Sequence, residues 1–130
     1  MNIPSQVVSL FMLQALAGYL DQGSSNATLV FYDDTKPASI NIIADDTAKL
    51  LTLNLPKPCF KSVNENNIEL FASNVGVATK TGTTTWARLF NGEDIAVVDV
   101  AMETDIVLDN YNIVMGSSVK LDVIYLSPQF

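Results

Sequence analysis

Apolar side chains crowd the first twenty residues with a helical beat, then shift after Gly23 to short alternating runs separated by turn residues. Val8, Met12, Ala15, Leu16, Tyr19 and Leu20 recur at helical spacing, which predicts one helix over residues 4–22 with that stripe turned inward. Pro4 suits the first turn, where its missing N–H would be unpaired anyway, and Gly23 suits the left-handed position just past the end. Gln6, Gln14, Gly18 and Asp21 share the opposite side, with Val7 and Phe11 among them. An ordinary surface helix shows water more charge than this one, whose first charged residue is Asp21. Two readings stand: the helix is covered on most sides by its own domain, or it docks on another subunit.

Beyond Gly23 the β-branched and aromatic run Thr28 to Tyr32 reads as a strand. Ser39 to Ile43, Leu50 to Leu55 and Ile68 to Ala72 are further short candidates, bounded by Pro37, Pro56 and Pro58, which cannot donate to a ladder. Lys61 to Asn67 is polar and asparagine-rich, as in a turn or exposed loop. Thr83 to Phe90, then Asn91-Gly92, then Ile95 to Val100 is the clearest hairpin, its connection lengthened by Glu93-Asp94. Val119, Leu121, Val123 and Tyr125 alternate with Lys120, Asp122 and Ile124, predicting one closing strand with a single core face. The expected fold is mainly β (α+β): a β-sandwich of short antiparallel strands over residues 27–126, preceded by the helix, in a single domain spanning 1–130.

Composition narrows the chemistry. The chain has no histidine and one cysteine, Cys59, while 48% of it is hydrophobic. It therefore carries no Ser-His-Asp triad, Cys-His pair or histidine-bearing zinc site. Cys59 has no partner for an internal disulfide and reads as a buried small hydrophobe or, less simply, a reactive thiol. Fourteen acidic residues against seven basic ones give a formal charge of -7. No basic run exists to neutralise phosphates or meet an anionic bilayer, so neither nucleic acid nor membrane is an expected partner. The apolar stretch Val7 to Ala17 lacks the basic start of a secretory signal and is short for a membrane span; it is expected to be a structural helix.

Three groupings are candidates for a site. Asp33-Asp34, Asp45-Asp46, Glu93-Asp94 and Glu103 with Asp105 and Asp109 are grouped carboxylates. A glycoside hydrolase needs two acids across a cleft, but neighbours in a strand point to opposite faces, and aspartate favours turns. The last group offers oxygen ligands without the regular calcium-loop pattern, so a solvated loop is expected and no metal is assigned. Trp86, Arg88 and Phe90 share one strand face by alternation. They form either a stacking platform for a sugar or base, or a core tryptophan with Arg88 over its edge. No phosphate-cradling glycine motif occurs, and no cofactor is expected.

The order of segments Gln14 to Asp21, Ala27 to Tyr32 and Thr35-Lys36-Pro37 resembles that of small structural proteins of tailed-bacteriophage and prophage virions. The more specific match is Thr81-Gly82-Thr83-Thr84-Thr85-Trp86-Ala87-Arg88-Leu89-Phe90, similar to that group's Gly-Thr-Ala-Thr-Trp-Ala-Arg strand. Asp105 to Tyr125 resembles its closing region. Here Ala101-Met102-Glu103-Thr104 replaces the group's Gly/Ala-rich acidic loop, and the loop after the first strand is poorer in glycine. The resemblance implies a non-catalytic part, made in the host cytoplasm and built in multiple copies into the capsid or tail. Its implied partners are other virion proteins and further copies of itself. Val7, Phe11 and Gln14 on the helix, and the segment Ser127 to Phe130 with Phe130 at its end, are the candidate assembly surfaces. A carbohydrate-binding module with Trp86 at the surface and a carboxylate-based hydrolase are the alternatives.

Overall fold

A computed structural model describes residues 5–103, 106–108 and 110–127. Helix α1 spans Gln6–Leu20. It starts where the Ser5 hydroxyl accepts the Val8 N–H at 3.3 Å, satisfying one of the otherwise unpaired first-turn donors. It ends two residues earlier than the pattern predicts, and Gly23 holds φ of +104° in the turn that follows. Pro4 lies outside the described residues.

The strands are β1 (Thr28–Tyr32), β2 (Lys49–Asn54), β3 (Phe60–Val63), β4 (Ile68–Leu70), β5 (Gly76–Val77), β6 (Gly82–Thr83), β7 (Trp86–Phe90), β8 (Ala96–Ala101), β9 (Asn112–Ile113), β10 (Ser118–Val119) and β11 (Ile124–Leu126). The fold is thus mainly β with one N-terminal helix, its strands pairing antiparallel. The principal sheet has the order β2-β1-β7-β8 and the second β11-β4-β3, with β10-β5 and β6-β9 as two-stranded pieces. Their facing sides close a sandwich-like core. Leu29, Phe31, Leu51, Leu53 and Leu89 of the principal sheet join Ile68, Leu70, Ile124 and Leu126 of the second in one apolar cluster. Leu10, Leu13, Ala17 and Leu20 of α1 enter the same cluster.

The helix is rotated from its predicted setting. Ser9, Leu10, Leu13, Ala17 and Leu20 face the core, whereas Val8, Met12 and Tyr19 of the expected stripe stand exposed. With apolar residues on nearly every side, periodicity alone does not say which side wins. The end of the helix is fixed by polar contacts: Asp21 Oδ1 accepts the Cys59 N–H at 3.0 Å, and the Cys59 thiol points to the Ala17 carbonyl at 3.7 Å.

Four strand expectations change. Ser39 to Ile43 is a turn, with the Ile42 N–H on the Ser39 carbonyl, in the long connection between β1 and β2. Residues 61–63, expected in a loop, belong to β3, and the turn narrows to Asn64–Asn67, where the two side chains bond at 2.8 Å. Thr83 to Phe90 splits at Thr84 and Thr85, so β6 pairs with β9 while β7 enters the principal sheet. The closing strand splits too: β10 pairs with β5, Leu121 and Ser73 exchange hydrogen bonds, and β11 pairs with β4. That transfer between sheets shifts the alternation by one. Ile124 and Leu126 point inward, and Val123 and Tyr125 point out.

The hairpin between β7 and β8 forms as expected, but by different means. Asn91 Oδ1 accepts the N–H groups of Glu93 and Ile95, and Asp94 rather than Gly92 takes the positive φ, +62°. Gly92 serves close approach. A β-carbon there would sit 2.0 Å from the Ser25 carbonyl oxygen, and its own N–H donates to the Gln22 carbonyl at 2.9 Å.

Candidate assembly surface

Rotation of α1 leaves an apolar face without cover among the described residues. Val7 is 64% and Phe11 63% exposed, and Val8, Met12 and Tyr19 are also open to solvent. At 100° per residue these side chains lie side by side, with Ala15 and Gly18 completing the strip. Gln14 is half-buried at its margin. Val7, Phe11 and Gln14, singled out from sequence, are therefore brought to one surface. Phe130 lies outside the described residues. Val8, Met12 and Tyr19 were expected in the core and are additions to this surface. The missing charge before Asp21 signalled that the helix had a second apolar side, but not which residues formed it.

Trp86, Arg88 and Phe90 are also brought together, on the outer face of the principal sheet, but under cover. The β1–β2 connection lies across them, with Ala44 and Ala48 packed against Val30, Tyr32, Trp86 and Phe90. Trp86 is 0% exposed, stacked on Tyr32 with ring centroids 4.4 Å apart, and its Nε1–H donates to Asp34 Oδ1 at 2.7 Å. The Arg88 guanidinium carbon stands 5.3 Å from the Trp86 ring centroid. The stacking platform is thus corrected: a ring sealed on both faces offers nothing to a sugar. Burial pushes the Tyr32 hydroxyl above its ordinary pKa, with Arg88 partly opposing.

Arg88 itself is neutralised at close range. Its Nε and Nη2 donate to Asp99 at 2.6 and 3.0 Å, and Nη1 donates to the Ile42 carbonyl at 2.8 Å. The hydrogen bonds to Asp99 hold its pKa up against the burial that lowers it. Three of the grouped carboxylates are spent on structure. Asp33 pairs with Lys80 at 2.8 Å, Asp34 holds Trp86, and Asp45 caps a short 3-10 turn through Thr47. The Thr47 hydrogen bonds lower the Asp45 pKa. Glu103 takes φ of +69°, while Asp105 and Asp109 lie outside the described residues. Among the described residues no group of three or more His, Cys, Asp or Glu side chains is arranged to hold a metal ion. Cys59 is buried, and burial with the neighbouring Asp21 carboxylate pushes its thiol up to about 12, far from a reactive thiolate. No described helix is long and apolar enough to cross a membrane.

Compared with known proteins, the chain matches no family model, no curated protein and no solved structure.

Proposed function

We propose that this chain is a non-catalytic structural protein of a tailed-phage virion, set in multiple copies on the capsid or tail. The observation that carries the assembly part is the bare apolar face of α1. A fifteen-residue helix with Val7 and Phe11 each more than three-fifths exposed presents the kind of contiguous patch that monomeric proteins seldom leave in water. The virion setting is supported by the resemblance of the Thr81 to Phe90 segment. Assembly then proceeds by burying this face. The acidic charge keeps copies soluble before they meet. The chain acts where it is built in, after synthesis in the bacterial host cytoplasm, with capsid or tail subunits as partners.

Co-sedimentation of the purified full chain with capsids or tails of the phage that encodes it tests this reading. Saturable binding of several copies per particle is expected, and Phe11→Asp, an exposed change that spares the core, removes it. A folded chain that pellets with neither component contradicts the proposal.

A further inference from the structure

Resting on that assembly reading, we infer that the occupant of the α1 face is the same face of a second copy, with the two helices antiparallel about a two-fold axis. Charge, area and shape support this occupant. From Ser5 to Leu20 the helix carries no charged side chain, so two copies of an acidic chain meet there without like-charge contact. No fixed charge is present to select a partner of opposite sign, and no basic residue on the face attracts an anionic lipid surface. The exposed fractions of the five large side chains leave about 500 Å² per copy, so a pair buries roughly 1,000 Å², the lower bound of a specific interface.

The shape of the strip sets the direction. Its N-terminal half is bulky, with Val7, Val8, Phe11 and Met12, whereas Ala15 and Gly18 make the C-terminal half shallow until Tyr19. Antiparallel pairing centred between Met12 and Gln14 seats Phe11 on the partner's Ala15 and Val8 on the partner's Gly18. Parallel pairing sets Phe11 on itself at one end and leaves a gap at the other. Gly18 adds an independent sign. Among the described residues nothing lies within 4 Å of a β-carbon built on it, and its φ is an ordinary helical one. One copy alone therefore gives no reason for a poor helix former in the last turn of α1, while the close approach of a second helix does.

Sedimentation velocity of the full chain from about 1 to about 100 μM spans the affinities open to an interface of this size. A dimer is expected to form across that range. Gly18→Leu, which places its side chain in open space in one copy, is expected to weaken the dimer by at least about tenfold while the dilute protein melts no lower. Mixing Phe11→Cys with Ala15→Cys chains under diamide is expected to link the two variants to each other faster than either links to itself. Buried Cys59, its thiol pushed up to about 12, stays out of the exchange.

A wild-type chain that stays monomeric throughout overturns the inference. So does faster self-linking of Phe11→Cys, which marks parallel pairing, or a monomer that instead binds phosphatidylcholine vesicles through this helix. Should the monomer still join particles through α1, the virion reading stands and the second-copy inference falls. Should the dimer form and the chain bind no particle component, the reverse holds.

Discussion

Removing Asp99 is expected to destabilise the fold far more than loss of a surface ion pair. Arg88 and Asp99 stand directly opposite in the β7–β8 register, joined by two hydrogen bonds, with side chains only 3% and 6% exposed. Asp99→Ala leaves the guanidinium buried, with the Ile42 carbonyl and the Trp86 ring as its remaining contacts among the described residues. Breaking a buried pair from one side costs about 3–5 kcal/mol, mostly the penalty for the charge left behind. At roughly 3–6 °C per kcal/mol for a domain of this size, the melting temperature falls by about 10–25 °C. The double change Arg88→Met with Asp99→Leu removes both charges and is expected to return most of that loss. Urea unfolding, followed by far-UV circular dichroism at fixed pH, measures all three variants and the coupling between the two sites. An Asp99→Ala cost below about 1 kcal/mol, typical of solvated pairs, would falsify the reasoning. A double variant no better than the sum of its singles would also refute it.

Three further expectations follow from local geometry. Gly92→Ala drives a methyl group against the Ser25 and Gln22 carbonyl oxygens and is expected to cost at least about 1–3 kcal/mol; thermal unfolding beside Gly18→Ala, whose site is open, gives the contrast. Native Trp86 is expected to emit at short wavelength and resist acrylamide quenching; emission near that of free indole in water contradicts its burial. Cys59 has a folded pKa of about 12 against an ordinary 9.0, so the folded state holds the thiol proton more tightly than the unfolded chain. Its contribution is fully present below pH 9 and is lost as pH rises toward 12, by up to about 4 kcal/mol. Cys59→Ala should unfold with a shallower alkaline slope than wild type, and equal slopes refute the assignment.

Local periodicity made much of this fold legible. Thr28 to Tyr32 has the bounds of β1, the Asn91-Gly92 signal marks a real hairpin, and one helix precedes a mainly β body. The errors share a cause in tertiary context. Helix rotation was hidden because α1 is apolar on almost every side, so the choice fell to the surface offered by β3, β4 and β8. The two split strands looked continuous because side-chain alternation carries no mark of the point where a chain leaves one sheet for another. Thr84 and Thr85 at one break, and Ser73 bonded to Leu121 at the other, act through partners far away in sequence. In the connection over Trp86 the isoleucines of Ser39 to Ile43 suit a strand, yet in the fold Ile43 is 92% exposed. For the candidate surface, Val7 and Phe11 were visible as apolar residues on a side expected to be polar. Met12, Val8 and Tyr19 were not, since their spacing also fits a core stripe.

The proposed role makes this chain a repeated part of a particle. Its copy number in gradient-purified virions, by quantitative mass spectrometry against a known capsid subunit, tests that most directly. The expected result is a fixed, multiple-copy ratio that survives repeated purification. A chain absent from the particles, or present only in traces that wash away, contradicts the account.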